Sequence, residues 1–181
     1  MKPRNTIVVT LFLSMFCTAA PMLAQDGTAL DAHLEVFRPF LGKTWRGVLG
    51  DPGASAPTID VARYERALNG TAVRTLHSVN DGAYGGESII FWDKKKESLV
   101  FYYFTTAGFF TTGTMTAEGR SFTAHEFVTG NENGITEVKS TATLGDDGKL
   151  RTASQYLRNG EWVAGHSAVY EEDARAEVRF R

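Results

Sequence analysis

Beyond residue 42 the chain alternates apolar and polar positions with a period of two, in runs of roughly 7 to 10 residues, the pattern of half-buried strands. Nine turn-forming stretches separate these runs: DPGASAP, LNGT, NDGAYGG, DKKKE, TAGF, AEGR, GNENG, GDDGK and RNGE. Nine separators delimit ten strands. Asn69-Gly70, Asn133-Gly134, Asp147-Gly148 and Asn159-Gly160 accept the positive φ of tight hairpins, so neighbouring strands are expected to pair antiparallel. Ahead of the strands, Leu30, Leu34, Phe37 and Leu41 recur at helical spacing, with Asp31 and Glu35 near the start and Gly42 as a stop. This spacing predicts one amphipathic helix over 28–41. A single helix followed by ten strands in sequence order predicts an all-β fold, an antiparallel up-and-down closed barrel, since closure removes the edge strands. Barrel diameter grows with strand number beyond the eight that side chains can nearly fill, so ten strands imply a cavity.

The stretch FYYFTTAGFFTTG at 101–113 predicts a hairpin about TAG. Successive strand residues face opposite sides, so doublets such as Tyr102-Tyr103 and Phe109-Phe110 put one ring on each face. One set is expected to face the cavity. The other is expected to be covered by the helix over 28–41 or by a second subunit in a homodimer, because a ladder of exposed rings is adhesive. A membrane-embedded barrel is disfavoured. LRTASQYL at 150–157 and ITEVKSTATL at 135–144 are mixed on both faces, whereas lipid demands an apolar outer face on every strand.

The ends and the composition narrow the picture. Lys2 and Arg4 precede the apolar run IVVTLFLSMFCTAA, and Ala24 offers a cleavage point, which predicts a secretory signal peptide over 1–24 and a single domain over 25–181. The protein is accordingly expected to be periplasmic or secreted. The one cysteine, Cys17, lies within this leader, so the remaining domain is expected to have neither disulfide nor thiol nucleophile. Loss of Lys2 and Arg4 leaves 17 Lys+Arg against 21 Asp+Glu, a formal charge of −4. That balance argues against a nucleic-acid partner, and Lys94-Lys95-Lys96 is read as a solvated turn.

No dinucleotide, P-loop, zincin or nucleophile-elbow motif is present, and GDDGK lacks the ligand spacing of a calcium loop. His33 lies on the expected helix and is read as exposed. His77, His125 and His166 each sit mid-strand, and no two are close enough in sequence to form a local metal site. Glu65, Glu87 and Glu126 lie in otherwise apolar strands. Two of them facing inward would form an acid–base pair with raised pKa; pairing with Arg63, Arg66 or Arg74 at the barrel mouths is the alternative.

The segment PFLGKTWRGVLG at 39–50, with Trp45, Arg46 and Gly47, resembles the W-x-G opening of the calycin-type barrels, which include the nitrobindins. YERALNGTAVRTLHSV, GGESIIFWDKKKESLVFYYF and RNGEWVAGHSAVYEE resemble bacterial lipocalin-like proteins of unknown function. The resemblance implies a lipocalin-like barrel, and in its nitrobindin form a haem held by His166 as axial ligand. The run Trp162, Ala164, His166, Ala168, Tyr170 also fits an inward-facing strand without haem.

The sequence therefore predicts an exported barrel that binds a small apolar or amphipathic molecule, with no resident cofactor and no metal. Haem binding through His166, and an enzyme acting on a lipid-like molecule through inward carboxylates, are the alternatives. Trp45, Trp92, Tyr102, Phe104, Phe110 and Tyr156 are the expected aromatic lining, and Arg74, Glu87, His125 and His166 the expected polar groups.

Overall fold

The computed structural model describes residues 29–50 and 56–181. The expected leader over 1–24 lies outside the described residues, as does most of the first separator. Ten strands follow one another: β1 Thr44–Leu49, β2 Thr58–Ala67, β3 Ala72–Val79, β4 Tyr84–Asp93, β5 Ser98–Thr105, β6 Phe110–Glu118, β7 Ser121–Thr129, β8 Ile135–Leu144, β9 Leu150–Arg158 and β10 Glu161–Glu172. Each pairs antiparallel with its sequence neighbour, and β1 closes the barrel against β10, with Gly47 opposite Tyr170. The expected closed meander is the observed fold. Several turns are shorter than expected, NDGAYGG most of all: it ends its turn at Ala83, because Asn80, Asp81 and Gly82 all take positive φ and complete the reversal. Tyr84, Gly85 and Gly86 are thereby freed to extend β4.

The helix differs in kind from the expectation. It is a 3-10 helix over Ala32–Phe40, capped by the Asp31 side chain, which accepts a hydrogen bond from the His33 backbone N–H at 2.9 Å. Its three buried residues, Leu34, Phe37 and Phe40, are spaced by three. A period of three aligns them along one edge of a 3-10 helix, where an α-helix would fan them out. That edge plugs one end of the barrel. Phe37 stacks on Phe122 at 5.0 Å, and Phe40 meets Trp45 at 5.6 Å and Tyr64 at 5.3 Å. Around them Leu99, Phe101, Leu144 and Leu150 complete a buried apolar floor.

The helix therefore does not cover the outward rings of the β5–β6 hairpin. Tyr102, Phe104 and Phe110 are 45%, 54% and 38% exposed, with Phe104 against Phe110 at 6.2 Å and Tyr102 stacked on Phe91 at 6.4 Å. A different element covers a different face. Residues 173–181 run back along β3, where the Arg179 backbone N–H donates to Ser78 Oγ at 3.0 Å, and the Arg179 and Arg181 guanidinium groups reach Asp81.

Strand β10 carries a bulge between Ala164 and Ser167. One extra residue there reverses the facing of everything before it. His166, Ala168 and Tyr170 stay on the inner face as expected, but Trp162 points outward, beneath the Lys139 ammonium at 4.2 Å.

Candidate functional site

Above the apolar floor the barrel is hollow. A mouth of about 670 Å³ is lined by Tyr84, Phe109, Val138, Tyr156 and His166 among others. It adjoins a middle chamber of about 490 Å³ bounded by Asp60, His77, Tyr103, Glu126 and Tyr170, and a space of about 180 Å³ lies at the floor between Phe37, Phe101 and Phe122. Glu126 borders all three spaces.

The chamber wall carries a continuous chain of polar side chains from five strands. Tyr170 Oη donates to Asp60 Oδ2 at 2.7 Å. His77 Nδ1 lies 2.9 Å from Asp60 Oδ1, and His77 Nε2 lies 2.7 Å from Tyr103 Oη. Tyr103 Oη is in turn 2.9 Å from Tyr84 Oη, at the border of chamber and mouth. Asp60 is only 4% exposed, so its two partners are what make its burial tolerable. Next to Tyr103 on the adjoining strands β6 and β7, Thr111 Oγ1 donates to Glu126 Oε2 at 2.9 Å.

Burial sets the protonation of these groups. It raises Glu126 above the ordinary glutamate value, against the smaller opposing effect of the Thr111 hydrogen bond. It also raises Tyr84, Tyr103 and Tyr170, with nearby charge as a smaller contribution. The chamber thus presents neutral phenols and a carboxyl whose ionisation burial opposes.

Glycines make room for the chain. Gly47 faces inward beneath Tyr170, where a Cβ would stand 2.6 Å from the ring, and Gly86, paired with His77 across β3–β4, lies beneath the Tyr103 ring. A side chain at either position would collide with the ring that completes the chain.

Of the residues expected to line the site, Tyr156 and His166 do so, their rings edge to face at 5.8 Å. Trp45 and Trp92 also face inward but belong to the plugged end: Trp45 is buried against Phe40, and Trp92 stacks on His33 at 3.7 Å. Arg74, Glu87, Tyr102, Phe104, Phe110 and His125 lie on the outer face. Arg74 pairs with Glu87 at 2.7 Å and Glu65 at 3.6 Å, and His125 with Glu137 at 2.6 Å. The reason is strand parity, since Phe101 and Tyr103 occupy the inner face of β5 and their neighbours must point out.

His77, Tyr103 and Tyr170 were not among the expected lining residues, and Asp60 and Tyr84 were missed altogether. In β2 the apolar Ile59 and Val61 alternate with Thr58 and Asp60, so hydrophobicity alone would turn Asp60 outward. The C-terminal segment overturns that reading, because Asp173, Arg175 and Ala176 face Ile59 and Val61 across a cleft on the outer side. Tyr84 lay hidden inside a turn-like stretch. The signal that could have found the site is the pairing of mid-strand glycines with aromatic residues, Gly47 with Tyr170 and Gly86 with Tyr103.

No family model matches the chain, and no curated protein matches it. Among solved structures, Rv2717c from M. tuberculosis aligns with a TM-score of 0.60 over 80% of this chain and 99% of that one, at 13% sequence identity. The likeness is one of fold, a shared barrel architecture.

Proposed function

We propose that the protein is an exported barrel that binds a small amphipathic molecule, apolar portion toward the aromatic mouth and floor, polar end against the middle chamber. The observation that carries this reading is the chamber itself: a cavity of about 490 Å³, continuous with an open mouth, in which polar groups converge between apolar and aromatic side chains. Export rests on the sequence of residues 1–24. The ion pairs Arg63–Glu65, Arg74–Glu87 and His125–Glu137 on the outer face support a barrel surrounded by water.

A second reading has one observation in its favour. The His166 imidazole faces the mouth and makes no side-chain hydrogen bond among the described residues, while Phe109, Val128, Val138 and Ile135 offer apolar walls. Haem supplies its own four nitrogens, so a single imidazole suffices to hold its iron, and the group when bound would supply redox or gas-binding chemistry. His166 would be the axial ligand, with Tyr156 setting its ring orientation.

Titration with the amphipathic fluorophore 1-anilinonaphthalene-8-sulfonate tests the first reading, and haemin titration the second. Val138→Trp, which fills the border of mouth and chamber, should weaken fluorophore binding at least tenfold. Equal binding by the variant would place the fluorophore on the exposed outer rings and contradict a cavity ligand. A Soret band that His166→Ala removes would select haem; its absence on adding haemin would dismiss it.

A further inference from the structure

The geometry points to a proton relay: the chain Tyr84–Tyr103–His77–Asp60 takes up the hydroxyl proton of a weakly acidic ligand, a phenol or enol, and binds it as the oxyanion. This deepens the cavity-ligand reading and rests on it.

With Asp60 ionised, two arrangements give an unbroken donor order along the chain. With His77 neutral and its Nδ1–H donated to Asp60, the bare Nε2 must accept from Tyr103, and Tyr103 must then accept from Tyr84. Tyr84 has its proton committed and turns only lone pairs to the cavity. With His77 protonated on both nitrogens the order reverses: Nε2–H donates to Tyr103, Tyr103 donates to Tyr84, and Tyr84 O–H is free to donate outward. One proton on His77 thus converts the cavity end of the chain from acceptor to donor.

A ligand hydroxyl docked on Tyr84 drives that conversion. Its proton passes to Tyr84 Oη as the Tyr84 proton passes to Tyr103 Oη and the Tyr103 proton to His77 Nε2. Three O–H or N–H bonds form and three O–H bonds break, and nothing is oxidised or reduced. The products are a ligand oxyanion accepting from Tyr84 and an imidazolium held 2.9 Å from Asp60. Neither tyrosine becomes a phenolate at rest, in keeping with the burial that raises both. The groups that face His77 are Asp60 from β2, in contact with Nδ1, and the phenols of Tyr84 from β4 and Tyr103 from β5. Glu126 from β7, raised by burial, and Tyr156, His166 and Tyr170 border the same chamber. Tyr170, donating to the second Asp60 oxygen, fixes the carboxylate that anchors the chain and is a positioning residue.

The probe is 4-nitrophenol, whose ionised form is yellow. Bound to the wild-type protein, its ionisation midpoint should fall by at least one pH unit from that of the free probe. Tyr103→Phe keeps the ring over Gly86 but removes the linking hydroxyl, and should restore the midpoint of the free probe. Tyr84→Phe cuts the chain at the cavity end and should likewise restore the midpoint of the free probe, with weaker binding of the neutral form because the docking hydroxyl is gone, so a folding defect in one variant does not decide the matter. The relay is overturned if the bound probe ionises like the free one, or if the shift survives in both variants. Binding without ionisation would defeat the relay while leaving the cavity reading intact. Failure to bind 4-nitrophenol by a protein that takes the fluorophore would reject the ligand class, and failure to bind either would reject both readings.

Discussion

Asp60 is the residue on which the interior depends most. It sits 4% exposed on β2 and satisfies two donors at once, His77 Nδ1 and Tyr170 Oη. Asp60→Ala leaves both unpaired in a confined space, and each stranded group costs about 1–3 kcal/mol. Chemical denaturation should show a loss of at least about 2 kcal/mol, whereas Asp60→Asn, which keeps one acceptor, should lose less. Glu126 gives a pH signature of known sign. Its folded pKa is raised by burial, so the stability it contributes is present below the ordinary glutamate value of 4.5 and is lost as pH rises through the folded value. In Glu126→Gln that decline disappears, and unfolding free energies measured from pH 4 upward should run flatter than in the wild type. Neither residue's role was open to hydrophobic patterning. Glu126 was one of three candidate carboxylates, and the structure separates it from Glu65 and Glu87, which pair with Arg63 and Arg74 outside. Asp60 was concealed because the apolar side of its strand is covered by residues over a hundred positions away.

At the scale of elements, the turn chemistry carried the architecture. Each of the nine separators contains the turn between two consecutive strands, and the positive φ at Asn159 and Gly160 is what the RNGE hairpin requires. The plug was legible only in part. The helical stripe was visible, but the three-residue spacing of Leu34, Phe37 and Phe40 marks a 3-10 turn more than an α-helix. Phe37→Ala empties the plug where it stacks on Phe122, and truncation of a buried phenylalanine costs about 3–5 kcal/mol; a thermal melt well below the wild-type midpoint is expected. The bulge of β10 was not legible, since no alternation rule announces an extra residue, and it decides that His166 lines the mouth while Trp162 does not. Gly86→Ala belongs to the same scale. Its Cβ would intrude on the Tyr103 ring, and overpacking of this kind costs about 1–3 kcal/mol. Near-ultraviolet circular dichroism should register the displaced tyrosine with the strand signal intact.

For the whole molecule, one end is sealed by Phe37, Phe40 and Trp45, and the other opens past Phe109, Tyr156 and His166. Ten strands leave more interior than the inward side chains occupy, and the inner wall combines rings with a connected polar chain. An unliganded chamber of this kind would be filled with water held against apolar walls, so an amphipathic guest is the occupant that its surface favours. Native mass spectrometry of the protein purified from its own host tests this most directly, with Val138→Trp purified in parallel. The account predicts a non-covalent small-molecule adduct on the wild-type protein that is lost on denaturation and absent from the variant. A wild-type protein that carries no guest and takes up none from an extract of its host, or an adduct that Val138→Trp retains in full, would contradict it.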